Sequence, residues 1–288
     1  MTLPSATAVI PTTVPCHVAP GRNLLTPTVG RPNPVRRGKP GRFTIPSQQS
    51  SERSSIRAQA AHRAYRARPR GVDMLDPSDV QSLKDVGYCV IPEVTVEDFT
   101  HTAEFLGTPR PSRPNGPLMD ILTPKEVNDS RPGTISSNYG LREFPWHSDG
   151  AVDKDPPRYL LMRAEVANPQ SATTDILDLH CLLDGGLFLK YSRLICETTT
   201  RRSTYLSPFV IQHNGIWRAK WDPLRMRALG KKAASFHQDV SEAAPTKRHH
   251  WTRGDLLIID NWRCLHRRSA TSTTQRAIQR IVVKNLPE

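Results

Sequence analysis

The chain has 288 residues, with 40 Lys and Arg against 27 Asp and Glu and a formal net charge of +13, enough length for one large or two small domains. The charge is unevenly spread: residues 1–70 hold 12 of the basic residues, one acid (Glu52) and ten of the 26 prolines, a net of +11, and the other 218 residues carry only +2. No window reaches the ~18 apolar residues of a membrane span, and no compact apolar stretch of a secretory signal opens the chain. Five scattered cysteines (Cys16, Cys89, Cys181, Cys196 and Cys264) form no C-x-x-C pair. That argues against a cysteine zinc site and fits reduced thiols in a cytoplasmic-type compartment.

Residues 1–70 read as a disordered, basic, Pro/Arg-rich tail. The segment has few aromatics and no sustained apolar period, so it buries too little surface to offset the entropy of ordering. Ser55–Arg68 can form a basic helix at its end. Arg-rich, Ser-rich and acid-poor composition also matches an organellar transit peptide, and an upstream start is the bland alternative. The charge admits contact with nucleic acid. No aromatic residues are interleaved with it and no recognition fold is visible, which argues against that partner.

Residues 71–288 read as one folded domain. Asp76 and Pro77 are a cap and first turn, Val80, Leu83 and Val86 keep helical spacing, and Gly87 ends the helix. Tyr88–Pro92 reads as a buried strand. Thr95 and Asp98 resemble a capping box that opens a second helix through Phe99, Ala103 and Leu106 to Gly107. Residues 108–128 are proline-rich and polar and predict a long loop. Thr134–Tyr139 reads as strand-like, leading into the segment FPWHSDG. In 158–166, Leu160, Met162, Ala164 and Val166 share one parity, which predicts a strand buried on one face. Asp255–Asp260 is apolar on both faces and reads as central, and Arg276–Lys284 is the last strong strand. Residues 180–250 are irregular, with strand character only in 209–212 and 216–221 around an Asn214-Gly215 turn signal. Short strands, turns and two early helices predict a mainly β fold, a double-stranded β-helix or jelly roll flanked by helices.

Two histidines and a carboxylate stand out. In an extended segment, residues i and i+2 point to one side, roughly 6.6 Å apart at Cα. His147 and Asp149 can therefore aim an imidazole and a carboxylate at one point while Ser148 faces away. A lone H-x-D is a weak signal. His266 strengthens it, because it lies just past an apolar strand that would fix its backbone. Two neutral imidazoles and a carboxylate are the facial ligand set of non-haem Fe(II) oxygenases. His249 and His250 sit in a basic polar run and read as exposed. His213 reads as a surface residue before a turn, and His180 and His237 lack a carboxylate at metal-site spacing. Arg276 and Arg280 share strand parity, about 13 Å apart at Cα, and can hold carboxylates by paired hydrogen bonds. Arg263, Arg267 and Arg268 add positive charge near the presumed mouth and favour an acidic group on the substrate. Asp222 reads as a turn residue before Pro223, with an amine-binding role as the alternative.

The stretch from Ser136 through FPWHSDGAVDKDPPRYLLMR, then Thr173-Thr174, GDLLIIDNWRCLHRR, and Arg276 with Arg280 four residues on, resembles the TauD/TfdA group of Fe(II)/2-oxoglutarate dioxygenases, its clavaminate-synthase-like branch above all. The resemblance covers roughly residues 72–288. It implies Fe(II) on His147, Asp149 and His266, with Arg276 or Arg280 on the distal carboxylate of 2-oxoglutarate and Thr173 or Thr174 beside it. It further implies hydroxylation, or desaturation, of a small acidic or amino-acid-like molecule, with O2 and 2-oxoglutarate consumed and succinate and CO2 released. Halogenating members carry a small residue where Asp149 stands, so the carboxylate points to hydroxylation-type chemistry. Two other functions compete: a catalytically degenerate jelly roll acting as a nucleic-acid-binding or scaffolding protein through its basic tail, and a zinc hydrolase.

Overall fold

The computed structural model describes residues 75–182, 191–213 and 216–284. The expected tail, its helix and transit-peptide readings, and the Asn214-Gly215 turn lie outside the described residues. Both early helices form where their signals stand. Helix α1 (Pro77–Val86) starts at a capping box in which Asp76 accepts from the Ser78 and Asp79 amides and Asp79 accepts in return from Asp76. It ends at Gly87 (φ +80°), where an added Cβ would lie 2.6 Å from Cys264 Sγ, so the cap needs a glycine for both conformation and space. Strand β1 (Tyr88–Ile91) follows, then α2 (Val96–Leu106), whose first turn is capped by Thr95 Oγ1 accepting from Asp98 N.

Three expectations fail in the next stretch. The predicted loop 108–128 contributes two short edge strands, β2 (Thr108–Arg110) and β3 (Met119–Leu122). Edge strands pair through the backbone on one side and need no alternating apolar pattern, and Pro109 is tolerated there. Residues 135–139 are not strand-like but a short helix, α3 (Ile135–Tyr139), opened by Thr134 accepting from Ser137 N. Strand β4 (Tyr159–Val166) is buried on both faces over Leu160–Met162, not on one. The second face is covered by α1 and α2, which a strand's own sequence cannot announce.

Next come β5 (Thr174–Asp178) and a short turn of helix, α4 (Leu179–Leu182). The stretch read as irregular then holds β6 (Ile195–Thr199), β7 (Thr204–Pro208), β8 (Val210–His213), β9 (Ile216–Ala219), β10 (Met226–Ala228), helix α5 (Ala233–Glu242) and β11 (Lys247–His249). Helix α5 anchors itself with Phe236 and Val240, one turn apart. The chain closes with β12 (Leu256–Asp260), β13 (Cys264–Arg268) and β14 (Ala277–Lys284).

The large sheet runs β1-β12-β4-β14-β2, with β3 also on β14; a second sheet runs β11-β5-β13, and every pairing is antiparallel. Alternation along the strands divides the core into layers. On β12, Leu256 and Ile258 pack with Phe99, Ala103, Leu161, Ile281 and Val283 under the helices. Leu257 and Ile259 face the other way, with Leu160, Met162, Ile176, Trp251, Ile278 and Val282, between the two sheets. Full burial of each such aliphatic side chain contributes about 2 kcal/mol. Beyond the second sheet, Leu177 and Leu265 turn outward to Trp146, Trp221 and Phe236. This is the expected jelly-roll sandwich. Its strand parity also sorts the functional residues. Ile176, Ile278 and Val282 face the inter-sheet space, so Thr174, His266, Arg268 and Arg280 stand in register with that inner side. Arg276 precedes β14, beyond a register shift at Ala277 and Ile278.

Candidate metal centre

His266 is set by β13, whose partner β5 places Ile176 opposite it. His147 lies outside the named strands but forms an isolated antiparallel bridge with His266, with His147 N donating to His266 O (3.1 Å) and His266 N to His147 O (2.8 Å). Ser148 faces away, as alternation requires, and is held by Trp221: its amide donates to Trp221 O (2.8 Å) and its Oγ accepts from Trp221 N (3.0 Å). Asp149 then points back beside the histidines. One ligand atom from each of His147, Asp149 and His266 can be chosen so that all lie within 4.8 Å of one another. Asp149 Oδ1 is 4.0 Å from His147 Nε2 and 3.8 Å from His266 Nε2, and the two rings are 4.4 Å apart.

The protonation chemistry suits a cation. His147 Nδ1 lies 2.9 Å from Pro145 O. A proton shared there leaves the Nε2 lone pair directed at the centre. Burial drives the His266 pKa down to about 3, helped by His147 and Arg280 and only partly opposed by Asp149, so the imidazole is neutral. Burial alone would raise the Asp149 pKa. The charge of Arg280 and its hydrogen bond oppose burial, and the carboxyl is held below its ordinary value. Two imidazoles with their Nε2 atoms toward the centre and one ionised carboxylate fit Fe(II) and leave its remaining positions to other ligands. Thus the donor set accommodates the metal that the sequence resemblance implies.

The arginines divide sharply. Arg280 Nη1 donates to Asp149 Oδ2 (2.9 Å) and its Nη2 to Asp120 Oδ2 (2.8 Å). Arg276, equally buried, donates from Nη1 to the Ala172 carbonyl (2.8 Å), its Nε has no partner, and no carboxylate among the described residues pairs with it. Burial, with the nearby charge of Arg268, lowers its pKa to about 10. Thr174 Oγ1 accepts from Trp251 Nε1 (3.1 Å), and Thr173 N is taken by Ser269 Oγ.

The basic residues read as a mouth are already occupied. Arg263 is clamped by Asp178 and by the Lys84 and Asp85 carbonyls at the end of α1. Arg267 pairs with Asp175 and Glu143. Arg268 lies 4.1 Å over the Phe144 ring and donates to the Gly140 and Arg142 carbonyls. Asp222 is the turn residue expected, accepting from Leu224 N. His249 is corrected: it is buried on β11, its ring 4.4 Å from Trp251 and its Nε2 3.4 Å from Asp255, and burial pushes its pKa to about 4. Pairing of β11 with β5 turns it inward against Thr174, and a basic run gives no sign of that. A cleft lined by Phe144, Trp146, Trp221, His237 and Arg267 lies on the outer side of β13 and contains none of the triad.

Two residues at the centre were not singled out from the sequence. Asn261, 1% exposed, accepts from Asp149 N and donates to the Asp149 and Pro157 carbonyls, each at 2.9 Å. Its signal was the DN step after the apolar run of β12. Asp120 lies on a strand read as a loop and carried no signal.

The comparisons agree with this geometry. The model of the taurine catabolism dioxygenase TauD, TfdA family matches residues 197–282, which include His266, Arg276 and Arg280. No curated protein matches the chain. Among solved structures, AAD-2 in complex with Mn(II) and N-oxalylglycine is similar at 18% identity, over 75% of this chain and 93% of that chain, with a TM-score of 0.57. An asparagine oxygenase in complex with Fe(II), 3-hydroxyasparagine and succinate is similar at 18% identity, over 78% and 83%, with a TM-score of 0.58. A taurine dioxygenase from Burkholderia xenovorans is similar at 20% identity, over 75% and 86%, with a TM-score of 0.54. At these identities the likeness is one of fold. Beside that fold stands a donor set of two histidines and a carboxylate, the kind that holds a non-haem Fe(II). Over residues 197–282 the chain is similar to the TauD/TfdA family.

Proposed function

We propose that the chain, through residues 71–288, hydroxylates or desaturates a small amino-acid-like substrate, with 2-oxoglutarate and O2 as co-substrates and succinate and CO2 as products. The observation that carries the reading is the convergence of His147, Asp149 and His266 on a site beside which Arg276 has no carboxylate partner among the described residues. Iron, when held by those three residues, supplies the oxidising chemistry; the protein supplies binding, orientation and a dry site.

Arg276 is the better seat for the distal carboxylate of 2-oxoglutarate. Among the described residues its buried charge has only the Ala172 carbonyl to satisfy it, so an entering carboxylate gains charge-assisted hydrogen bonds. Arg280 is already divided between two acids. Thr174 adds a donor: its oxygen accepts from Trp251, leaving its hydroxyl hydrogen for the same carboxylate. Met162, Ile176, Leu257 and Trp251 belong to the apolar core between the two sheets. Because Arg263 and Arg267 are engaged by acids of the fold, recognition of a substrate acid group rests on fewer cations than the sequence suggested. An amino-acid-like substrate agrees with the similarity to an asparagine oxygenase.

Anaerobic addition of Fe(II) and 2-oxoglutarate should give a weak visible charge-transfer band that His266→Ala abolishes, and a succinate-release screen over amino acids and small acids should then find the substrate. A fully metallated wild-type protein with neither the band nor succinate release would refute the reading. Zinc in anaerobically purified protein, with no iron, would favour a hydrolase instead.

A further inference from the structure

Asp149 presents its two oxygens to different partners. Oδ1 faces the Nε2 atoms of His147 and His266, at 4.0 and 3.8 Å, and Oδ2 accepts from Arg280 Nη1 at 2.9 Å. A guanidinium left alone with a carboxylate tends to swing into the two-pronged arrangement that covers both oxygens. Here it cannot, because its other prong is taken: Arg280 Nη2 donates to Asp120 Oδ2 at 2.8 Å. Asp120 is itself fixed. It sits on β3 directly opposite Arg280 on β14, is 5% exposed, and also accepts from Ser112 Oγ and from Arg113 Nη1.

We propose that Asp120 is a positioning residue for the metal site, acting through Arg280 to keep Oδ1 of Asp149 turned to the histidines and free to ligate. Its charge matters as well as its place. Asp120 shares the positive charge of Arg280, so Asp149 keeps more of its own for a cation. The inference rests on the reading of His147, Asp149 and His266 as ligands.

Calorimetric titration with Mn(II), without 2-oxoglutarate, tests it. Asp120→Asn should weaken Mn(II) binding about 10–100-fold, the loss usual for partners that orient a ligand. Asp120→Glu should retain most of the affinity. The double variant Asp120→Asn/Arg280→Met should bind Mn(II) more tightly than Asp120→Asn alone, since no guanidinium then masks Asp149. A purely structural role would instead lower the melting temperature of every Asp120 variant and leave the affinity of the folded protein unchanged. Wild-type affinity in Asp120→Asn, or a double variant no tighter than the single one, overturns the proposal while the triad reading stands. Failure of the wild-type protein to bind Mn(II) overturns both.

Discussion

One half of the metal centre is carried by a strand and the other by a loop, and they are held by different means. His266 sits on β13, paired with β5 along its whole length and backed by Leu265 on one side and the inter-sheet core on the other. His147 and Asp149 belong to a segment with no strand pairing beyond the single bridge to His266. That segment is tied down one group at a time: Phe144 N to Arg268 O, Ser148 to Trp221, and both backbone groups of Asp149 to Asn261. The strand half draws its order from bulk packing, and the loop half from a few buried polar contacts. Packing is spread over many residues and tolerates a single loss, whereas a polar tie concentrates its effect on one group.

The largest expected effect ignores that difference. Removing a ligand from either half, by His266→Ala or Asp149→Ala, should abolish Mn(II) binding in calorimetry and succinate release alike. Retention of either activity by both variants would break the picture of one shared centre.

The next effect separates the halves. Asn261→Ala should weaken Mn(II) binding about 10–100-fold, because it frees the Asp149 backbone. Leu257→Ala, in the strand half, should cost about 3 kcal/mol of stability in denaturant melts and leave the affinity of folded protein within about threefold. The reverse pattern would mean that the strand core, not the polar ties, sets the ligand geometry.

Arg276, just before β14, and Arg280, on it, sharpen the comparison further. Arg276→Lys should weaken 2-oxoglutarate binding roughly tenfold, because an ammonium cannot reproduce the planar two-pronged contact, with little change in Mn(II) affinity. Arg280→Lys should do the opposite and shift metal affinity more than co-substrate affinity. Calorimetry with each ligand separates the two outcomes.

The large sheet was the part the sequence disclosed best. The apolar runs of β4, β12 and β14 are long and buried, so their composition alone marks them. The end of β12 put His266 just past an apolar strand, but β13, which carries it, and its partner β5 were not read from the sequence. The loop half was disclosed only as an H-x-D spacing, a weak signal that the family resemblance raised. Asn261, Asp120 and the inward-facing His249 were missed because their roles depend on neighbours far away in sequence: 112 residues from Asn261 to Asp149 and 160 from Asp120 to Arg280. Short edge strands such as β2 and β3 escape for a related reason. They are selected by backbone pairing, which leaves little trace in side-chain pattern.

The smallest effect lies on the outer side of the second sheet, where polar ties matter to stability and not to the centre. Asp175 is fully buried between Arg248 and Arg267, and Arg248 is half exposed. Burial would raise the Asp175 pKa, but the Arg248 and Arg267 hydrogen bonds and charges outweigh it and lower it. A carboxyl whose folded pKa lies below its unfolded value stabilises the fold above the unfolded pKa, near 4, and loses that stabilisation as pH falls through the folded value. Arg248→Met should therefore cost about 0.5–1 kcal/mol at neutral pH, as expected for a pair with one solvated partner. The gap to wild type should narrow in melts taken at progressively lower pH, below the unfolded carboxyl value. Mn(II) affinity should not change, since Asp175 and Arg267 point away from the inner face that bears His266. A change in affinity would show that the two sides of β13 are coupled after all.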